Sequence, residues 1–186
     1  MTANSLGATY LQTAIKRMRY YKQLGDRSIE QLTDEQLHQQ PAEGSNSIAT
    51  IIQHMAGNML SRWTDFLTTD GEKEWRQRDA EFEEQHLSRV QLTDLWEQGW
   101  NCFIGALESL TENDLLKTIY IRKEPLIVID AINRQLAHYP SHVGQIMYAG
   151  KIFKGRDWKS LSIEKGKSED FNRAEGVKDP ANLPGR

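Results

Sequence analysis

Hydrophobic residues recur at intervals of three and four positions in four long segments, which is the period of an amphipathic helix. These segments cover about residues 5–25, 48–66, 88–110 and 128–153. Four amphipathic helices bury their hydrophobic faces best against one another. The pattern therefore predicts an all-α protein, a four-helix bundle that is either up-and-down or joined by crossover connections.

Polar signals indicate where these helices begin and end. Thr33 precedes Gln36 and Ser88 precedes Gln91 in capping-box form, which predicts a short turn or helix near residue 33 and the start of the third long helix. Pro41 ends the first of these elements. The segment 68–85 is long, charged and without a clear period. A loop of this length in a compact domain is usually functional or packed against something.

Two short hydrophobic runs, 118–121 and 126–128, flank the polar residues 122–125. They predict a small hairpin or an extended excursion before the last helix, although the second run could instead open that helix. After Gly155 the chain becomes polar. We therefore expect a bundle domain at 1–155 and a partly ordered C-terminal extension at 156–186, ending in an extended tail.

The composition narrows the class of protein. The 186 residues are 38% hydrophobic and 26% charged, which fits one ordinary globular domain. The net charge of −3 argues against nucleic-acid binding, which needs a basic face. No stretch reaches the ~20 apolar residues that cross a bilayer, and the first residues lack a secretory signal. We expect a cytoplasmic protein that binds neither nucleic acid nor membrane.

Three of the five histidines lie on predicted helices. His138 and His142 are four residues apart, so both rings lie on one face, a spacing that helical metal sites use. His54 borders the hydrophobic stripe of the second long helix, where a hydrogen-bonded interfacial histidine is the commoner interpretation for a single residue. Together the three predict a Zn²⁺ or Ni²⁺ site with open coordination positions, because no fourth His or Cys ligand is apparent.

The remaining candidates carry weaker signals. Asn58 and Gln145 could orient the metal ligands, and Arg62 and Arg134 could bind an anionic substrate group, each against the alternative of an ordinary polar surface residue. No general base is identified, so the catalytic residues stay unknown. His38 and His86 are interpreted as solvated surface residues. Pro140 lies between His138 and His142 and should bend the helix, and this bend is either merely tolerated or serves to aim the two rings.

Residues 46–54 and 135–146 resemble the DinB-like (YfiT-like) superfamily of metal-dependent bacterial proteins, and residues 57–73 resemble one uncharacterised subfamily of it. The likeness covers about residues 5–155 and reaches 158–161. It implies a four-helix bundle that binds Ni²⁺ or Zn²⁺ through His54, His138 and His142, and frequent homodimers. Characterised relatives act on low-molecular-weight thiols, as bacillithiol S-transferases and mycothiol-dependent isomerases do.

The resemblance leads us to expect a metal-dependent thiol S-transferase or hydrolase that acts on a small molecule. The alternative is a non-enzymatic bundle with a structural or incidental metal that acts through dimerisation. In that case the loop 69–84, which carries Trp75 and Phe82, is a candidate dimer contact.

Overall fold

The computed structural model describes residues 5–176 and 178–182. In this part of the chain, six α-helices accompany one two-stranded antiparallel hairpin. In chain order the elements are α1 (Leu6–Ile29), α2 (Asp34–His38), α3 (Ile48–Trp63), α4 (Arg89–Glu108), β1 (Thr118–Ile121), β2 (Glu124–Ile127), α5 (Val128–Lys154) and α6 (Ser168–Arg173).

The four long helices form the predicted bundle. The main helix pairs are α3 with α4, α1 with α5, α1 with α4, and α3 with α5. Of the successive long helices, α3 and α4 are neighbours, whereas α1 and α3, and likewise α4 and α5, are not main neighbours. The connection through α2 and the one through the hairpin cross the bundle, so the crossover form of the prediction is the correct one.

Helix α3 is buried on nearly every side. It packs against α4 and α5, and a 3₁₀ turn at Asp79–Phe82 covers another face. His54, which the sequence places at the edge of the hydrophobic stripe, is buried because the long loop after α3 folds back over that face. His54 is 5% exposed.

The capping signals are confirmed. Thr33 and Ser88 form complete capping boxes, and Ser5 and Ser47 accept hydrogen bonds at the starts of α1 and α3. The prediction that the first helix ends near residue 25 was wrong. Gly25 lies inside α1, where an added Cβ would lie 2.4 Å from the Trp96 ring. This glycine permits close packing of α1 on α4 and does not end the helix.

The hairpin before α5 is confirmed, and its turn is held by a carboxylate. Arg122 and Lys123 both adopt left-handed backbone conformations, with φ of 57° and 66°. Asp70 accepts hydrogen bonds from their backbone N–H groups at 2.8 and 2.7 Å. These charge-assisted bonds offset the strain of two non-glycine residues in this conformation.

Tyr139 ties α5 to the bundle core. Its ring is fully buried against the rings of Trp100 and Phe103. Its hydroxyl accepts a hydrogen bond from Trp63 Nε1 at 3.1 Å and donates one to Asn58 Oδ1 at 3.0 Å. Since α5 continues through Pro140, this anchor fixes the position of the neighbouring His138.

The predicted C-terminal stretch with little regular structure is confirmed for the described residues. It contains α6 and a 3₁₀ turn at Pro180–Asn182, and Asp179 pairs with Lys16 and Arg17 of α1. Position 177 and the tail residues 183–186 lie outside the described residues. Among the described helices, none combines the length and hydrophobicity needed to cross a membrane.

Candidate metal centre

The structure brings His54 of α3 together with His138 and His142 of α5. The ring centroid of His54 lies 5.7 Å from that of His138 and 5.0 Å from that of His142. One ring nitrogen from each histidine lies within 4.8 Å of the others. The three residues, distant in sequence, therefore face one point between two helices of the bundle.

An oxygen atom lies against Nδ1 of each of the three rings. The partners are Glu81 Oε2 for His54 at 3.0 Å, Gln135 Oε1 for His138 at 3.1 Å, and Gln145 Oε1 for His142 at 2.9 Å. With these oxygens as acceptors, Nδ1 carries the proton in each ring, and the lone pair of the neutral imidazole is on Nε2. Metal-binding histidines are oriented in this way.

The donor set fits a divalent metal ion. The Nε2 atoms of His138 and His142 are 3.1 Å apart, and two unprotonated nitrogens at this distance repel each other unless a cation lies between them. Nitrogens that bind one Zn²⁺ at ~2.0–2.1 Å lie roughly 3.0–3.4 Å from each other. The described residues add no fourth His, Cys, Asp or Glu to this group. The triad could therefore hold an ion with positions left for another ligand.

Burial keeps the histidines of α5 neutral. It lowers the pKa of His138 to about 4, and the neighbouring His142 and His54 and the charges of Arg134 and Arg76 act in the same direction. Burial also lowers the pKa of His142, against the hydrogen bond with Gln145. Neutral imidazole is the form that binds a metal ion, so these two histidines would need no deprotonation to bind one at pH 7.

Glu81 connects the triad to a buried arginine. Its two carboxylate oxygens accept hydrogen bonds from Arg76 Nε and Nη2 at 2.7 and 2.9 Å, and Oε2 also accepts from His54. Burial alone would raise the pKa of Glu81, but the hydrogen bonds from Arg76 and His54 lower it. The carboxylate therefore stays ionised and holds the His54 ring in place.

Gly57 allows Glu81 to approach α3. A Cβ at this position would lie 2.2 Å from Glu81 Oε1, far inside van der Waals contact. The ring of Phe82, from the same 3₁₀ turn, packs on His54 with 4.6 Å between centroids. The long loop after α3 thus supplies both a hydrogen-bond acceptor and an apolar cover for this ligand.

The four supporting residues predicted from sequence have different environments. Gln145 contacts His142 directly. Asn58 accepts its hydrogen bond from Tyr139, and Arg62 donates to Gly71 O at 2.6 Å and to Glu72 at 2.9 Å. Asn58, Arg62 and the exposed Arg134 all line a cavity beside the triad.

Sequence reasoning missed three residues of the site. Gln135 precedes His138 by three positions, as Gln145 follows His142 by three, so helical spacing could have identified it. Glu81 and Arg76 lie in a loop without a period. The only signal for them was the unusual length and charge of that loop.

A second cluster lies at the other end of the same loop. Nδ1 of His38 contacts Glu84 Oε1 at 2.9 Å, and its Nε2 contacts Leu87 O at 2.9 Å. His38, Glu84 and His86 meet the same distance criterion as the triad. His86 is a surface residue as predicted, but His38 is half-buried with both ring nitrogens bonded, so its assignment to the solvated surface was wrong.

The family model for "Protein of unknown function (DUF1572)" matches residues 5–167. The chain therefore belongs to this family of proteins of unknown function. No curated protein matches the chain, and no solved structure does.

Proposed function

We propose that this DUF1572 family member binds one divalent metal ion through Nε2 of His54, His138 and His142 and uses it in a reaction of a small molecule. The observation that carries the proposal is the shared arrangement of the three rings: each has Nδ1 against an oxygen, the Nε2 atoms of His138 and His142 are 3.1 Å apart, and one nitrogen of each ring lies within 4.8 Å of the others. Three neutral imidazoles suit Zn²⁺ and Ni²⁺, and we propose one of these as the ion.

We further propose that the chain is a member of the DinB-like superfamily, and that the chemistry is thiol S-transfer or hydrolysis. A bound Zn²⁺ or Ni²⁺ ion lowers the pKa of a thiol or water ligand and so supplies a nucleophile at neutral pH. The bundle topology and the spacing of the triad support the proposed superfamily membership.

The residues around the triad have separate tasks in this proposal. Glu81, Gln135 and Gln145 hold the ligand rings in one tautomer and one orientation. Phe82 keeps water from one side of His54. On another side, His54 and His138 line an open cavity, which gives a small molecule access to the triad.

Metal analysis followed by activity assays tests the proposal. We expect the purified protein to hold one equivalent of Zn²⁺ or Ni²⁺, and His138→Ala to lose both the metal and the transfer of a small thiol to an electrophile or the hydrolysis of a small ester. Wild-type protein without stoichiometric metal would overturn the metal site. Stoichiometric metal with neither activity would leave the site and remove this chemistry.

A further inference from the structure

The cavity beside the triad has a strongly cationic wall. Its volume is about 290 Å³, and nine residues of the described chain line it, none of them acidic. His54 and His138 form the edge next to the candidate metal position. Five of the nine lining residues are arginines: Arg62, Arg76, Arg78, Arg122 and Arg134.

Nearby carboxylates neutralise these arginines only in part. Glu72 contacts Arg62, Arg76 and Arg122 at 2.9, 3.7 and 3.1 Å, so three guanidinium groups share one carboxylate. Glu81 pairs with Arg76.

The other two arginines have weaker partners or none. Among the described residues, Arg78 pairs with one carboxylate, that of the fully exposed Asp79 at 3.7 Å. Arg134 has no ion pair within the described residues. An excess of positive charge therefore remains around the cavity.

Arg76 has a buried donor without a partner. Its side chain is 1% exposed, and its Nη1 atom has no hydrogen-bond partner among the described residues. The nearest carboxylate oxygen, on Glu72, is 3.7 Å away, beyond hydrogen-bond distance. A buried charged donor left unsatisfied is costly, and an acceptor in the cavity that this arginine lines would satisfy it.

The hairpin turn places another of these arginines at the cavity. Arg122 adopts a left-handed backbone conformation, with φ of 57°. Asp70 holds the turn, and Glu72 holds the Arg122 guanidinium at 3.1 Å. The turn therefore presents the Arg122 guanidinium to the cavity.

We propose that this arginine-lined cavity binds the oxyanion group, a carboxylate or a phosphate, of the small molecule that reacts at the triad. Guanidinium groups recognise both kinds of oxyanion through paired hydrogen bonds. The position next to the ligand histidines would hold the anionic group while a neighbouring part of the same molecule reaches the metal. This link to a reaction rests on the proposed function, whereas the anion site itself does not require the metal.

Isothermal titration calorimetry of the metal-free protein tests the anion site. The chelator must be removed by desalting, because it is itself a polycarboxylate, and the buffer should be Tris at low ionic strength. Inorganic phosphate and succinate are titrated in separate experiments, so that the preferred oxyanion is identified. We expect at least one of them to bind with one site per chain.

Two matched substitutions show where the anion binds. Arg134→Gln should raise the dissociation constant about tenfold, the expected loss for one charge-assisted hydrogen bond. Arg156→Gln removes the same charge from an exposed position that does not line the cavity, so it should leave the constant unchanged. Arg78→Gln provides a second cavity variant in case Arg134→Gln does not fold.

Two results would overturn the proposal: no binding of either anion at millimolar concentration, or an equal loss of affinity in Arg156→Gln and the cavity variants. A separate titration of the same samples with Zn²⁺ keeps the two proposals distinct. Zn²⁺ binding without anion binding would contradict the arginine site alone, and anion binding without Zn²⁺ binding would contradict the metal site alone.

Discussion

The loop of residues 79–87 links two histidine clusters that look alike by distance and differ in what their nitrogens can do. In the triad, ring nitrogens on two long helices converge, and each Nδ1 has its own oxygen partner. In the second cluster, both nitrogens of His38 already contact oxygens, and His86 lies exposed on the loop. Proximity of histidines alone therefore does not identify a metal site. The ring nitrogens must also keep a free lone pair and be held by rigid helices.

Removal of one histidine from each cluster should give the largest difference in Zn²⁺ affinity. We expect His54→Ala to weaken Zn²⁺ binding by more than about 100-fold, beyond the 10–100-fold range for residues that orient ligands. His86→Ala, in the second cluster, should leave the affinity unchanged. Competition with a chromophoric chelator measures both, and an equal loss in the two variants would contradict the distinction.

Substitution of the carboxylate in each cluster should give the next largest difference in Zn²⁺ affinity. Glu81→Gln should weaken Zn²⁺ binding roughly 10–100-fold, because it removes the charge that orients His54. It should also lower the melting temperature, because the buried Arg76 loses the carboxylate to which it is hydrogen-bonded. The matched variant Glu84→Gln should keep the metal affinity of the wild type in the same titration.

A glycine-to-alanine pair tests how Glu81 is positioned. Alanine in place of glycine normally stabilises a helix by up to about 1 kcal/mol. Gly57→Ala should instead destabilise the protein by about 1–3 kcal/mol, because its Cβ would clash with Glu81. Gly105→Ala, at an exposed position of α4 with open space around it, should be stabilising. Urea denaturation measures both changes, and a stabilised Gly57→Ala would show that Glu81 does not require this contact.

The smallest expected effect is a pH dependence in the metal-free protein. Unfolded His138 takes up a proton below about pH 6.5, whereas the folded residue does so only near pH 4. The free energy of unfolding should therefore fall as the pH drops below 6.5, by less than the full ~1.4 kcal/mol per pH unit from this residue, because its ring is only partly buried and solvent screens its charge. His138→Gln should flatten the slope between pH 7 and 5, and His86→Gln should not. A slope that is the same in all three proteins would contradict a neutral, buried His138.

The sequence predicted the elements whose signals are local. Period and capping residues identified the four helices, and the four-residue spacing of His138 and His142 identified their common face. Gly25 was taken for a helix end because the close approach of Trp96 is a tertiary contact. Glu81 was missed for the same reason, since only the folded loop brings it to His54. Arg62 and Arg134 were identified as separate candidates from the sequence. Only the fold shows that they line one cavity with three further arginines.

The most direct test of the proposed metal site is nuclear magnetic resonance of the protein with ¹⁵N-labelled histidine, before and after one equivalent of Zn²⁺. We expect that His54, His138 and His142 begin as Nδ1–H tautomers and that their three Nε2 resonances shift together, while those of His86 do not. A response from fewer than three of these rings, or a response at His38 and His86 in their place, would contradict this expectation.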